Sequence, residues 1–223
     1  MKQKSCFIVG TIFVLAFIVW TILICLVDVQ AVGVNGTKVG LAGLNCWFHK
    51  LTGVNMSLYY VSDWLGLVPV GICIFFGGMG LVQLIKRKSL FKVDADLIIL
   101  GVYYLLVIVG YLVFEMIPIN YRPILIEGKM EVSYPSSTTL LVLSVMPTVA
   151  FEVKRRTNRK RVKQIINSLV GLFSIFMVIA RTVSGVHWLT DIIGSIIISL
   201  GIYLLFKATV LYFQRGEKDC GTR

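Results

Sequence analysis

Arg181, His187 and Asp191 stand close together near the end of the chain, in the segment Arg181-Thr182-Val183-Ser184-Gly185-Val186-His187-Trp188-Leu189-Thr190-Asp191. Arginine supplies a permanently charged, planar fork that matches the oxygens of a phosphate or carboxylate. A neutral imidazole is a base or nucleophile near neutral pH, and a carboxylate four residues after it would share one helix face. The combination predicts an anion site with a nucleophile built in. Two more clusters precede it, Tyr121-Arg122-Pro123 and Tyr134-Pro135-Ser136-Ser137-Thr138. Arg122 offers a second cation. Ser136 follows a helix-starting proline, where a hydroxyl and the free N–H groups of a first turn favour an anion.

The elements that must position these residues are apolar. With 57% hydrophobic and only 15% charged residues, the chain is unlike a water-soluble globule. Six stretches, roughly 7–27, 64–85, 97–117, 136–153, 165–183 and 190–212, approach the length of about 20 residues needed to cross a bilayer as a helix. The expected fold is an all-α, integral membrane six-helix bundle forming a single domain over residues 1–223. The apolar run from Cys6 to Val27 is too long for the core of a secretory signal, about 7–15 residues, so a retained helix is expected.

Orientation follows from the 22 Lys and Arg, because loops left in the cytoplasm carry the excess of positive charge. With both termini cytoplasmic, Lys2, Lys4, the cluster Lys86 to Lys92, the run Lys154 to Lys163, Lys207, Arg215, Lys218 and Arg223 all fall inside. Only Lys38, Lys50, Arg122, Lys129 and Arg181 remain outside. The three chemical clusters then converge on the outer membrane face. Charge at one face, with clean span centres, disfavours a transporter, which places ionisable groups at mid-membrane.

A net charge of +11 does not point to nucleic acid. The Lys154 to Lys163 run is a short loop between spans, where topology and anionic headgroups account for it. Cys6, Cys25, Cys46, Cys73 and Cys220 contain no C-x-x-C pair, so no metal or disulfide framework is expected. Residues 28–63 form the one long connection, an outer loop with a possible interfacial helix at Trp47-Phe48-His49-Lys50-Leu51; a lid over a lipid groove is the functional alternative. His49 reads as a solvated interfacial residue. Tyr121 and Tyr134 fit an aromatic belt or a substrate mouth, and Gly77, Gly78 and Gly80 fit close helix packing.

The order R-P, then P-S-x-x, then R-x5-H-x3-D, carried here by Arg122-Pro123, Pro135-Ser136-Ser137-Thr138 and Arg181 to Asp191, resembles the type-2 phosphatidic acid phosphatase family, which shares its site with the vanadium haloperoxidases. The resemblance covers about residues 97–206. It implies a six-helix bundle with an outward-facing site that hydrolyses lipid phosphates or pyrophosphates through a phosphohistidine, with no metal or other cofactor. His187 would then be the nucleophile, Asp191 the carboxylate that orients it, and Arg122, Ser136 and Arg181 the phosphate-binding set.

Two positions depart from the family pattern. Glu115 stands where the family has lysine, and Thr138 stands where it has the histidine that protonates the leaving group. Glu115 is a candidate substitute acid, and Lys129 in the next loop a candidate replacement cation. A general acid contributes about 10²–10⁴-fold, most for an alkoxide leaving group and least for phosphate, whose second pKa is about 6. The expected activity is therefore hydrolysis of a lipid phosphate or, preferentially, of a polyprenyl pyrophosphate. The alternative is a catalytically impaired member that binds lipid phosphates.

Overall fold

Helices α1 (Gln3–Leu26), α2 (Ala42–Thr52), α3 (Met56–Leu65), α4 (Leu67–Arg87), α5 (Ala95–Met116), α6 (Ser137–Arg156), α7 (Lys160–Val183) and α8 (Leu189–Cys220) follow one another along the chain. The computed structural model describes residues 2–220, with side chains through Gln214. Met1 and Arg223 lie outside the described residues, as do the side chains of Arg215, Lys218 and Cys220. Among the described residues six segments are long and apolar enough to cross a membrane: α1, α3 with α4, α5, α6, α7, and α8 as far as Gln214. The protein is an all-α integral membrane protein.

The spans start earlier than hydropathy predicts in two places. The second begins at Met56 rather than near 64, because Gly66 keeps helical angles (φ −59°, ψ −17°) and joins α3 to α4. Asn55, Ser57, Ser62 and Asp63 make that first stretch look like loop. The fifth begins at Lys160, since its basic first turn extends the helix beyond its apolar part. Within 28–63, α2 exposes Leu44, Trp47 and Leu51 on one side and buries Asn45 on the other.

The tightest helix crossing joins α1 to α8. A Cβ added at Gly10 would stand 3.0 Å from the Gly201 carbonyl, and one at Gly201 would stand 3.1 Å from the Val14 nitrogen, so only glycine admits this approach. Phe7, Ile8, Ile12, Leu15 and Val19 remain exposed on the other side of α1, as a lipid-facing surface requires. α6 is the central helix, with Val142, Ser144, Val145, Thr148 and Glu152 fully buried. Ser195 and Ser199 of α8 donate to the carbonyls of Ser136 and Leu140 at 2.9 and 3.2 Å. Those bonds fix the first turns of α6 and α8 against each other.

Tyr134, just ahead of α6, is core rather than belt or mouth. It stacks on Phe17, meets Phe114 edge to face, and shares a 2.7 Å hydrogen bond with Thr21. Gly194 makes room for it, since a Cβ there would meet the ring at 2.7 Å. At the opposite end, Arg156 joins buried Glu152 at 3.2 Å and Asp96 of α5 at 2.9 Å.

The glycines of α4 do not serve close packing. A Cβ at Gly77, Gly78 or Gly80 would meet nothing within 4 Å, and the same holds at Gly101 of α5. They leave open space where α4 and α5 diverge.

Candidate active site

The segment between α7 and α8 carries the nucleophile candidate. α7 ends at Val183, and Gly185 turns the chain with φ +67°, a conformation that favours glycine. A Cβ there would collide with the Gly53 carbonyl at 1.9 Å. His187 follows in the turn, two residues before α8, so it and Asp191 do not share a helix face as their spacing suggested. Asp191 lies in the first turn of α8, where its Oδ2 accepts from the Trp188 N–H at 2.9 Å, one half of a capping box.

Four residues from three other parts of the chain hold this turn. Asn45 of α2 donates to Thr190 Oγ1 at 3.0 Å and accepts from the Thr190 N–H at 3.2 Å. His49 Nε2 bonds the Gly185 carbonyl at 3.0 Å, so this histidine braces the turn rather than standing in solvent. Asn55 N–H donates to the Ser184 carbonyl at 3.0 Å. Trp188 Nε1 donates to the Tyr121 carbonyl at 2.8 Å.

Arg181 Nη2 lies 3.0 Å from His187 Nε2. A guanidinium only donates, so Nε2 carries its lone pair and the imidazole proton sits on Nδ1. That N–H faces the Ser133 carbonyl at 3.1 Å and the Ser133 hydroxyl at 3.0 Å. The hydroxyl in turn donates to Asp191 Oδ2. Asp191 itself is 3.8 Å from Nδ1, beyond hydrogen-bond range, and Asn120 donates to its other oxygen at 3.3 Å. The coupling of histidine to carboxylate therefore runs through Ser133. Burial, then the nearby charges of Arg181 and Arg122, push His187 well below the usual imidazole range. It is neutral, as a nucleophile must be.

Arg122 and Arg181 meet over the ring of Tyr59, which α3 carries beneath both guanidinium groups at 5.7 and 5.2 Å from its centroid. Arg122 pairs with Glu131 at 3.1 Å across the hairpin 121–132, and Arg181 with Asp63 of α3 at 3.4 Å. Arg181 is fully buried and Arg122 nearly so. Among the described residues the Nε and Nη1 of Arg122 and the Nε of Arg181 have no hydrogen-bond partner. Buried, unpaired cationic donors are costly, and an anion with several oxygens would satisfy them.

The remaining predicted residues are less closely engaged. Ser136 is the N-cap of α6, with the helix starting one residue later than Pro135 suggested, and its buried hydroxyl is joined to Thr139 Oγ1 at 3.0 Å. Glu115 is exposed at the end of α5 and lines a narrow cleft with Ser133, Tyr134 and His187. Lys129 is exposed at the hairpin turn, bridged to Ile126 through the backbone. Thr138 lines a cavity of about 350 Å³ together with Asp63, Leu67, Tyr111 and Leu141. Through Val70, Cys73, Tyr104 and Ile108 this cavity continues into an apolar groove of about 530 Å³ between α4 and α5, past Gly77, Gly80 and Gly101. Among the described residues no three His, Cys, Asp or Glu gather as a metal site would require.

Sequence reasoning did not find Tyr59, Asp63, Asn120, Glu131 or Ser133. Tyr59 and Asp63 lie four apart in a stretch read as loop, and recognising it as helix would have placed them on one face.

A buried arginine pair thus lies beside a buried histidine at one end of an all-helical membrane protein, an arrangement suited to an anion. Residues 112–215 match the family model of the PAP2 superfamily. It is similar to phosphatidylglycerophosphatase B of Bacillus subtilis (strain 168), at 29% identity over 93 residues. That alignment takes in 41% of this chain and 44% of the relative. The fold is similar to the crystal structure of the transmembrane PAP2 type phosphatidylglycerolphosphate phosphatase from Bacillus subtilis, with a TM-score of 0.52 and 20% identity over 90% of this chain and 94% of that one.

Proposed function

We propose that the protein is a membrane phosphohydrolase that cleaves a lipid phosphate or, more readily, a lipid pyrophosphate through a phosphohistidine at His187. The observation that carries this reading is the set of unpartnered guanidinium nitrogens on Arg122 and Arg181 around a neutral imidazole. Phosphate oxygens would take up those donors and draw Arg181 off Nε2, freeing the lone pair for in-line attack on phosphorus. The developing charge on the equatorial oxygens would then be met by both arginines, the main protein contribution to phosphoryl transfer. Ser133 and Asp191 would stabilise the imidazolium that forms. Ser136 caps α6, whose first-turn N–H groups would add to the anion field.

The match of residues 112–215 to the PAP2 superfamily model and the similarity to a Bacillus subtilis phosphatidylglycerophosphatase B support a lipid substrate. So does the apolar groove leading from the site between α4 and α5, which suits an alkyl or polyprenyl chain. The distribution of Lys and Arg supports cytoplasmic termini and an outward-facing site. Thr138 offers no titratable proton, which favours a leaving phosphate over a leaving alkoxide.

The test is phosphate release from phosphatidate, phosphatidylglycerophosphate and polyprenyl pyrophosphate by purified protein, with and without vanadate. The expected result is vanadate-sensitive release, fastest from pyrophosphate, that His187→Ala abolishes. Binding of these lipids without release from any of them would instead make the chain a lipid-phosphate binder, a reading that Thr138 and Glu115 favour. Release that survives His187→Ala would overturn the assignment of the nucleophile.

A further inference from the structure

We infer that Asp63 is the general acid of this site, replacing from α3 the proton donor that Thr138 does not supply. The inference rests on the phosphohydrolase reading above. Three observations carry it.

Asp63 is on the reacting side of the histidine. Arg181 reaches His187 Nε2 with one nitrogen, Nη2, and Asp63 Oδ1 with the other, Nη1, at 3.0 and 3.4 Å. Nε2 is the nitrogen with the lone pair, so Asp63 and the attacking atom border the same guanidinium. Glu115 lines a cleft with Ser133, Tyr134 and His187, makes no ion pair with Arg181, whose carboxylate partner is Asp63, and lies with Ser133, which holds Nδ1, the opposite ring nitrogen. An acid must reach the leaving oxygen, which in an in-line displacement departs from the face of phosphorus opposite Nε2, in the phosphate pocket and away from Nδ1.

Asp63 also stands beside position 138. Both line the 350 Å³ cavity, and a Cβ on Gly66, three residues after Asp63, would be 3.1 Å from Thr138 Cγ2. The cavity is the start of the apolar groove, so a lipid lying in it would have its bridging oxygen at the cavity mouth, where Asp63 is. Finally, the Asp63 side chain is 54% exposed, whereas Arg181 is wholly buried. The carboxylate can leave the guanidinium when a phosphate takes its place.

The proton balance closes. A phosphate monoester near neutral pH is close to its second pKa of about 6, and two anionic groups brought side by side retain a proton between them. Phosphate binding therefore places that proton on or next to Asp63. In the first step the Nε2–P bond forms and the P–O bond to the lipid breaks, with the Asp63 proton moving to the leaving oxygen to give the free alcohol. In the second, water attacks phosphorus, the P–N bond breaks, and the water proton passes to the Asp63 carboxylate. Phosphate leaves as the monoanion carrying that proton, and Asp63 returns to the carboxylate paired with Arg181.

The experiment compares wild type, Asp63→Asn, Glu115→Gln and His187→Ala on phosphatidate and on polyprenyl pyrophosphate, recording kcat and KM separately. Loss of a general acid costs about 10²–10⁴-fold where the leaving group is an alkoxide. Asp63→Asn is expected to lower kcat on phosphatidate by at least about 100-fold, with a change of less than about tenfold on pyrophosphate, whose leaving phosphate hardly needs the proton. Thr138→His in the Asp63→Asn background is expected to restore part of the phosphatidate rate. An equal fall on both substrates would overturn the inference and leave Asp63 as a counterion that holds Arg181. The selective loss appearing in Glu115→Gln instead would move the acid to α5. Persistence of activity in His187→Ala would sink the phosphohydrolase reading itself, which separates the two failures.

Discussion

Ser133 touches His187 twice, through its carbonyl at 3.1 Å and its hydroxyl at 3.0 Å from the same Nδ1. The hydroxyl passes the contact on to Asp191, which is 3.8 Å from the ring. Ser133→Ala leaves the carbonyl to hold the tautomer but cuts the link to the carboxylate. Removing one partner of a buried hydrogen bond costs about 1–3 kcal/mol. In the proposed reaction kcat is therefore expected to fall about 10- to 100-fold, with KM little changed because no phosphate contact is lost. Steady-state rates on a lipid phosphate check this, and an unchanged kcat would show that Asp191 acts on His187 without the serine.

The depressed proton affinity of His187 predicts a pH effect on stability. The group is buried and neutral in the fold, while in the unfolded chain it titrates near the ordinary value of about 6.5. Its folded value is the lower of the two, so the unfolded state takes up the proton first as pH falls. The stabilisation is complete above pH 6.5 and is lost as pH drops below it, by up to about 1.4 kcal/mol per pH unit. Thermal unfolding in detergent at pH 7.5 and 5.5 should show the midpoint falling in acid, and His187→Phe should shrink that fall. A variant whose midpoint falls as far as wild type would assign the acid sensitivity elsewhere.

Gly185 should be irreplaceable for a different reason. Its φ of +67° and the Gly53 carbonyl, 1.9 Å from where a Cβ would sit, oppose any side chain. Gly185→Ala combines backbone strain with a clash against backbone, so a loss of more than about 1 kcal/mol is expected, together with displacement of His187. His49→Ala removes only one bond to the same turn and should lower activity without a large change in melting temperature. Circular dichroism melts and activity on the two variants test this ordering. It fails if Gly185→Ala is as stable and active as wild type.

How far the sequence disclosed this site depends on how each residue reaches it. Arg122, Arg181, His187 and Asp191 could be grouped because each lies at a span end or in a connection on the same side of the spans, and span topology alone brings these to one face. The six spans were likewise legible, since hydropathy over about 20 residues reports directly on membrane burial. Tyr59, Asp63 and Ser133 were not, because their positions depend on contacts between helices. Tyr59 lay in a stretch read as outer loop, and only its place on α3 shows it under two guanidinium groups. His49 reaches Gly185 across a sequence separation that no local spacing encodes. The α4 glycines illustrate the opposite error, since the same small residues serve close packing or open space according to whether a neighbouring helix is present.

That open space gives the last prediction. Gly77 and Gly80 line the groove between α4 and α5, and a Cβ at either meets nothing within 4 Å. Gly77→Leu with Gly80→Leu should therefore fold, and replacing helical glycines with leucine adds about 0.5–1 kcal/mol of helix propensity per site. The new side chains would occupy the groove well away from the arginines. Hydrolysis of a long-chain lipid phosphate is expected to fall mainly through KM, by about 15-fold for the roughly 1.6 kcal/mol that two buried CH₂ groups of the chain contribute. A short-chain analogue that ends before Gly77 should be hydrolysed at the wild-type rate. If both chain lengths are affected alike, the groove does not hold the tail, and the preference for lipid must come from the headgroup and the membrane surface.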